Sequence, residues 1–239
     1  MLRPVDQDIW TIEAGLRITG IPITTRMTIV RLSSGGLWVH SPVRLDAEMR
    51  QAVEALGGVR SLVAPNAFHH LFLESAAVAW PQAQVYAAAG VSRKQPGVRI
   101  HGELTGVPLP QWSADLEQLP VEGMPRFNEV VFLHRSSRTL IVSDLVFNLA
   151  GKLPWRTGVF ARIAGIHGRL AVSRLFRSFI RDRQAFARSI RAILAWDFDR
   201  MIMAHGQIVE SGGREALSTA FDKFRWFRRA AGSLGAAGD

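Results

Sequence analysis

The segment Val59-Arg60-Ser61-Leu62-Val63-Ala64-Pro65-Asn66-Ala67-Phe68-His69-His70 couples a short apolar run to a loop rich in imidazole. Val59 to Val63 has the composition of a buried strand, and Pro65 interrupts its continuation. The loop that follows carries three metal-competent side chains, Asn66, His69 and His70. Layered α/β folds place their sites beyond the ends of strands, where a rigid sheet holds a polar loop in position.

Two other strand ends carry comparable groups. The turn Arg135-Ser136-Ser137-Arg138 joins a strand at Glu129–Leu133 to a second at Thr139–Ser143, and Asp144 stands at the end of the second. Phe198 to Ala204 reads as the last strand and delivers His205-Gly206. Upstream, residues 8–12 and 16–32 read as strands, and Arg26 to Leu32 alternates apolar and polar residues. Ser33-Ser34-Gly35-Gly36 turns that strand back into Leu37-Trp38-Val39-His40.

Leu45, Met49, Val53 and Leu56 have helical spacing, with Asp46 near the start and Gly57-Gly58 after the end. Leu71 to Ala79 is expected to be helical, and Gln84 to Ala87 a strand. Residues 90–120 are Gly/Pro-rich and read as loop. Residues 151–196 read as helical, with Gly158, Gly165 and Gly168 interrupting the first part. Arg214 to Phe227 is a closing helix. Sheets alternating with helices predict an α/β architecture. The expected organisation is one domain over residues 1–229, with a basic helical insertion at about 151–196 and a frayed tail at 230–239.

Composition narrows the chemistry. The chain has 239 residues, 48% of them hydrophobic, which is enough to fill a core and excludes a disordered chain. Cysteine is absent, so disulfide scaffolds and thiolate metal sites are excluded, and a metal must sit on His, Asp, Glu or backbone oxygen. Met1 to Asp6 lacks the apolar core of a secretory signal, and no run reaches the ~18 apolar residues of a spanning helix. A cytoplasmic protein is therefore expected, at most peripheral to a membrane.

The net charge of +9 is localised. Residues 156–191 hold nine arginines and one acid, Asp182, leaving the remainder of the chain near neutrality. Arg174, Arg177, Arg181, Arg188 and Arg191 form one stripe on a continuous helix, whereas a helix starting at Asp182 would divide it. Three uses compete: a solvated face, a rim that steers a small anionic substrate such as a phosphoester, and contact with an anionic membrane surface. Trp155, Phe160, Ile163 and Ile166, with Arg156 and Arg162, suit an interfacial helix. Nucleic acid is disfavoured, because diffuse charge is accompanied by no recognition motif. A Gly-x-Ser-x-Gly elbow and a Walker phosphate loop are also absent.

The order of these segments resembles the metallo-β-lactamase superfamily, and more narrowly a bacterial branch of it, the DUF4336 family. The resemblance lies in Leu37 to Pro42, Val63 to His70, Ser136 to Asp144 and Ala204-His205-Gly206, and spans nearly all of residues 8–227. It implies a four-layer αββα sandwich. The superfamily's His-x-His-x-Asp-His motif falls on Ala64, Asn66, Phe68 and His69, so only its last histidine is present. The region of the next histidine, Gly123 to Glu129, contains none. The bridging aspartate falls on Asp144 and the final histidine on His205.

One of the two family metal positions thus keeps Asp144 alone, and the other keeps His69, Asp144 and His205. The resemblance therefore implies a reduced site with one divalent ion, zinc or iron, and metal-bound water as nucleophile in a hydrolase. His70 and Glu129 are candidates for a further ligand or a proton-transfer group. The alternative is a metal-free, non-catalytic relative serving as a binding or membrane-surface scaffold. In that case His69 or Asp144 caps a neighbouring element and His205-Gly206 is an ordinary turn.

Overall fold

The computed structural model describes residues 1–224, 226 and 227. The larger sheet has seven strands in sequence order. β1 (Leu2–Asp6), β2 (Ile9–Ile18), β3 (Ile21–Arg31) and β4 (Leu37–His40) pair antiparallel. β5 (Val59–Ala64), β6 (Gln84–Ala87) and β7 (Gly102–Glu103) then add in parallel. The smaller sheet comprises β8 (Leu116–Pro120), β9 (Val130–His134), β10 (Thr139–Ile141) and β13 (Arg200–Ile202), in the order β13-β10-β9-β8. β11 (Phe147–Asn148) and β12 (Leu170–Ala171) form a separate pair.

Alternation along the smaller sheet sorts two cores, because successive strand side chains point to opposite faces. Val130, Phe132, Ile141 and Ile202 join Ile29, Trp38 and Leu62 of the larger sheet. Val131, Leu133, Leu140 and Met201 point the other way. They pack with Phe186 and Ile190 of α6 (Arg183–Ala195) and Leu217 and Phe221 of α7 (Gly213–Asp222). α1 (Ala47–Glu54) and α2 (Leu73–Ala79) supply Val53, Leu73 and Ala76 to the larger sheet's core. The layers run helix, sheet, sheet, helix, as expected. Asp46 caps α1 by accepting from the Met49 N–H at 2.7 Å.

Four parts of the sequence reading are corrected. β1 was not anticipated, since Pro4 and alternating charges disguise it; an edge strand tolerates both. Residues 90–120 contain α3 (Val91–Lys94), β7 and β8. β8 is held by pairing with β9, a contact that local composition does not reveal. Residues 151–196 are broken into α4 (Trp155–Ala164), β12, α5 (Arg174–Ser178) and α6. Gly165 ends α4 at φ +75°, and Asp182 starts α6 by accepting from Gln184 and Ala185 N–H at 2.9 and 3.0 Å. The arginine stripe is consequently divided. The expected closing helix 214–227 is interrupted: α7 ends at Asp222, Lys223 turns, and Trp226 and Phe227 are again helical, while the tail at 230–239 lies outside the described residues. Among the described residues, no helix is long and apolar enough to cross a membrane.

Candidate metal centre

β5, β10 and β13 end on the same side of the sandwich and bring three side chains together. The His69 Nε2 lies 3.1 Å from Asp144 Oδ2, and the His205 Nε2 lies 3.3 Å from Asp144 Oδ1. One ligand atom from each of the three fits within a 4.8 Å span. Asp144 and His205 are buried, and His69 is half-buried at the floor of a cleft of about 540 Å³.

The loop geometry follows from Asn66, which is wholly buried. Its Oδ1 accepts from the Phe68 and His69 N–H groups, both at 2.8 Å, and so turns the chain after β5. Its Nδ2 donates to Asp144 Oδ2 at 3.0 Å. Glu129 braces the opposite strand end. Its Oε1 accepts from the Ser143 and Leu145 N–H groups, and its Oε2 from the Asp144 N–H, at 2.9–3.2 Å. Burial and the Asp144 charge push the Glu129 carboxyl up to about 8, against the pull of those three N–H groups. Burial alone would raise Asp144 too, but the flanking His69 and His205 hold it well below the usual carboxylate range.

The second nitrogen of each histidine is also engaged. His205 Nδ1 is 2.6 Å from the Thr24 carbonyl oxygen, which can only accept, so Nδ1 carries a proton. In the neutral ring, Nε2 then presents a bare lone pair to a carboxylate. Two lone pairs at 3.3 Å repel, so this arrangement calls for a proton or a cation between them. His69 Nδ1 is 2.6 Å from Ser41 Oγ, a hydroxyl that serves in either role. Phe147 stacks on His205, with centroids 5.3 Å apart and planes within 4°.

Two further features hold His205 in place. Arg26, only 2% exposed, donates to the Met203 and Gly206 carbonyls and pairs with Glu13, tying β3 to the loop after β13. Gly206 sits at φ +92°, and a Cβ there would meet the Asn148 oxygen at 2.2 Å. Ser41 is itself strained, at φ +55° without being glycine.

Of the five expected site residues, the structure brings His69, Asp144 and His205 into one cluster. Glu129 lies behind them, fully buried, with its oxygens taken by backbone N–H groups. His70 lines the cleft, and its Nδ1 lies 2.9 Å from Gln95 Nε2, outside the cluster. His40 is buried and stacked on Trp38; burial and the neighbouring His69 push it down to about 3, so it stays neutral. Ser41 and the Thr24 carbonyl were not anticipated as site groups. Ser41 meets His69 only because β4 and β5 pair in parallel, with His40 beside Val63, and a backbone carbonyl leaves no mark in sequence.

The fold and the His/Asp/His cluster define a chain of the metallo-β-lactamase fold. The solved metallo-β-lactamase DIM-1, exposed to ceftazidime, superposes with a TM-score of 0.65 at 12% identity, over 93% of this chain and 96% of that one. FIM-1 from Pseudomonas aeruginosa, in its mono-zinc form, gives 0.60 at 15% identity over 93% and 95%. The metallo-β-lactamase from Hirschia baltica gives 0.60 at 14% over 92% and 95%. Residues 6–92 match the family described as Domain of unknown function (DUF4336). No curated protein matches the sequence.

Proposed function

We propose that the protein is a hydrolase working with one divalent ion, zinc or iron, held by His69, Asp144 and His205. The observation that carries this is the convergence of one ligand atom each from His69, Asp144 and His205 within 4.8 Å, with His205 Nδ1 held on the Thr24 carbonyl so that Nε2 is the atom turned to Asp144. The two histidine–aspartate distances of 3.1 and 3.3 Å are close to the edge, roughly 3.4 Å, of a tetrahedron with bonds of ~2.0–2.1 Å, and the 4.8 Å span of the three ligand atoms would contract around a bound ion. A bound ion supplies a Lewis acid that acidifies water and polarises a scissile carbonyl. Asn66 spends its side chain on the 66–69 turn and on Asp144. With Ala64 and Phe68 beside it, no second cluster of metal-competent side chains adjoins the first among the described residues, which supports a reduced branch of the fold. Glu129 positions Asp144, and His70, lining the cleft, is assigned the proton transfer to the leaving group.

The test is turnover of a panel of p-nitrophenyl esters and phosphoesters by zinc-loaded protein. Hydrolysis that falls at least 100-fold in Asp144→Asn and His205→Ala is the expected result. Equal turnover in those variants sinks the reading. A second reading, a non-catalytic scaffold at an anionic membrane surface, draws on one observation. α4 exposes Trp155, Val159 and Ile163, four residues apart on one face, with Arg156 and Arg162 beside them. Its test is binding to anionic vesicles.

A further inference from the structure

We propose that the cleft over His69, Asp144 and His205 binds a single long apolar chain, and that the substrate is a carboxylic ester of a long-chain acyl group. The chain site stands on the cleft itself; the bond to be cleaved rests on the one-ion hydrolase reading. Water would add across the acyl C–O bond, giving a carboxylate, an alcohol and a proton.

The lining decides the chemistry. Among the described residues, no lysine or arginine lines this cleft. Its ionisable lining groups are Asp144 and three histidines, and the nearby cations Lys94 and Arg44 lie against the Phe68 and Phe72 rings, with Lys94 donating to the Ala67 carbonyl, instead of forming its wall. One wall is aromatic: Phe127 lies with its centroid 4.7 Å from Phe176 and 5.5 Å from Phe179. The facing wall is the β2–β3 hairpin. Leu16 pairs with Ile23 and Ile18 with Ile21, and all four line the cleft. Hairpin tips ordinarily turn polar residues to water, and this one turns apolar pairs inward.

The protein leaves part of that lining uncovered. Ile18, Phe68, Leu71 and Leu175 line the cleft yet are 49%, 43%, 58% and 63% exposed. Contiguous exposed apolar surface around a cavity marks a site completed by a ligand. A volume of about 540 Å³ falls among small-molecule sites, ~300–1,000 Å³. An unbranched chain entering at these four residues would bury them and place its carbonyl at His69, Asp144 and His205, the residues that would hold the ion.

The experiment has two arms. Calorimetric titration with 1-hexanol, 1-octanol and 1-decanol reads the chain site alone. Affinity should rise roughly fourfold per added methylene. It should fall at least tenfold in Ile18→Glu/Leu175→Glu, persist in His205→Ala and be unchanged in Val78→Glu, an exposed position away from the cleft. The second arm compares kcat/KM for p-nitrophenyl acetate and decanoate. A flat alcohol series, or affinity indifferent to the double variant, overturns the chain site and leaves the one-ion reading in place. A steep series in a protein that cleaves no ester supports the chain site and removes the hydrolase.

Discussion

A carbonyl oxygen accepts and never donates, so Thr24 holds the His205 proton on Nδ1 and turns Nε2 toward Asp144. Ser41 does the same work less rigidly for His69. Such outer partners orient a ligand and tune its basicity. Ser41→Ala is therefore expected to weaken zinc affinity about 10–100-fold while leaving the fold intact, as read by competition with a chromophoric chelator and by thermal unfolding. Affinity unchanged in that variant would remove Ser41 from the site. The three clustered residues were legible because each follows an apolar strand at a chain break. Ser41 and Thr24 were not, because one acts through strand pairing and the other through its backbone. Glu129 read as a candidate ligand, since a carboxylate near a site looks the same in sequence whether it faces the cleft or braces a loop.

At the scale of elements, the central strands of both sheets were readable, although the expected strands at 8–12 and 16–32 ran through the β2–β3 turn at Thr19-Gly20, and Asp46 and Asp182 mark two helix starts. What composition hid were elements held by distant partners: β8 by β9, and the edge strand β1 by β2. The basic segment is the instructive case. Its arginines suggested one continuous stripe, but Gly165 and Asp182 break the backbone, and α4 becomes a separate helix. Thr157 of α4 donates to the Pro22 carbonyl, and Phe160 lines the cleft, so the opposite face meets solvent with Trp155, Val159 and Ile163. If that face docks on anionic lipid, wild-type protein will cosediment with phosphatidylglycerol vesicles. Trp155→Glu/Ile163→Glu will then lose most of that binding, and added salt will weaken it. Cosedimentation equal in wild type and variant would dismiss the membrane reading.

The whole molecule separates its tasks. Two sheets and their outer helices supply a near-neutral scaffold, and the strand ends on one side carry the polar cluster. From Leu145 to Arg181 the chain contains no acid and seven lysines or arginines, and it is the helices of this stretch that border the cleft. The likeness to metallo-β-lactamases at 10–15% identity is one of fold, so the chemistry rests on the site itself. The central claim is a site for one ion. Its most direct measurement is equilibrium dialysis of metal-free protein against zinc, followed by elemental analysis. One equivalent per chain is predicted, falling to near zero in Asp144→Asn and in His205→Ala. Two equivalents, none, or one equivalent retained by both variants would contradict it.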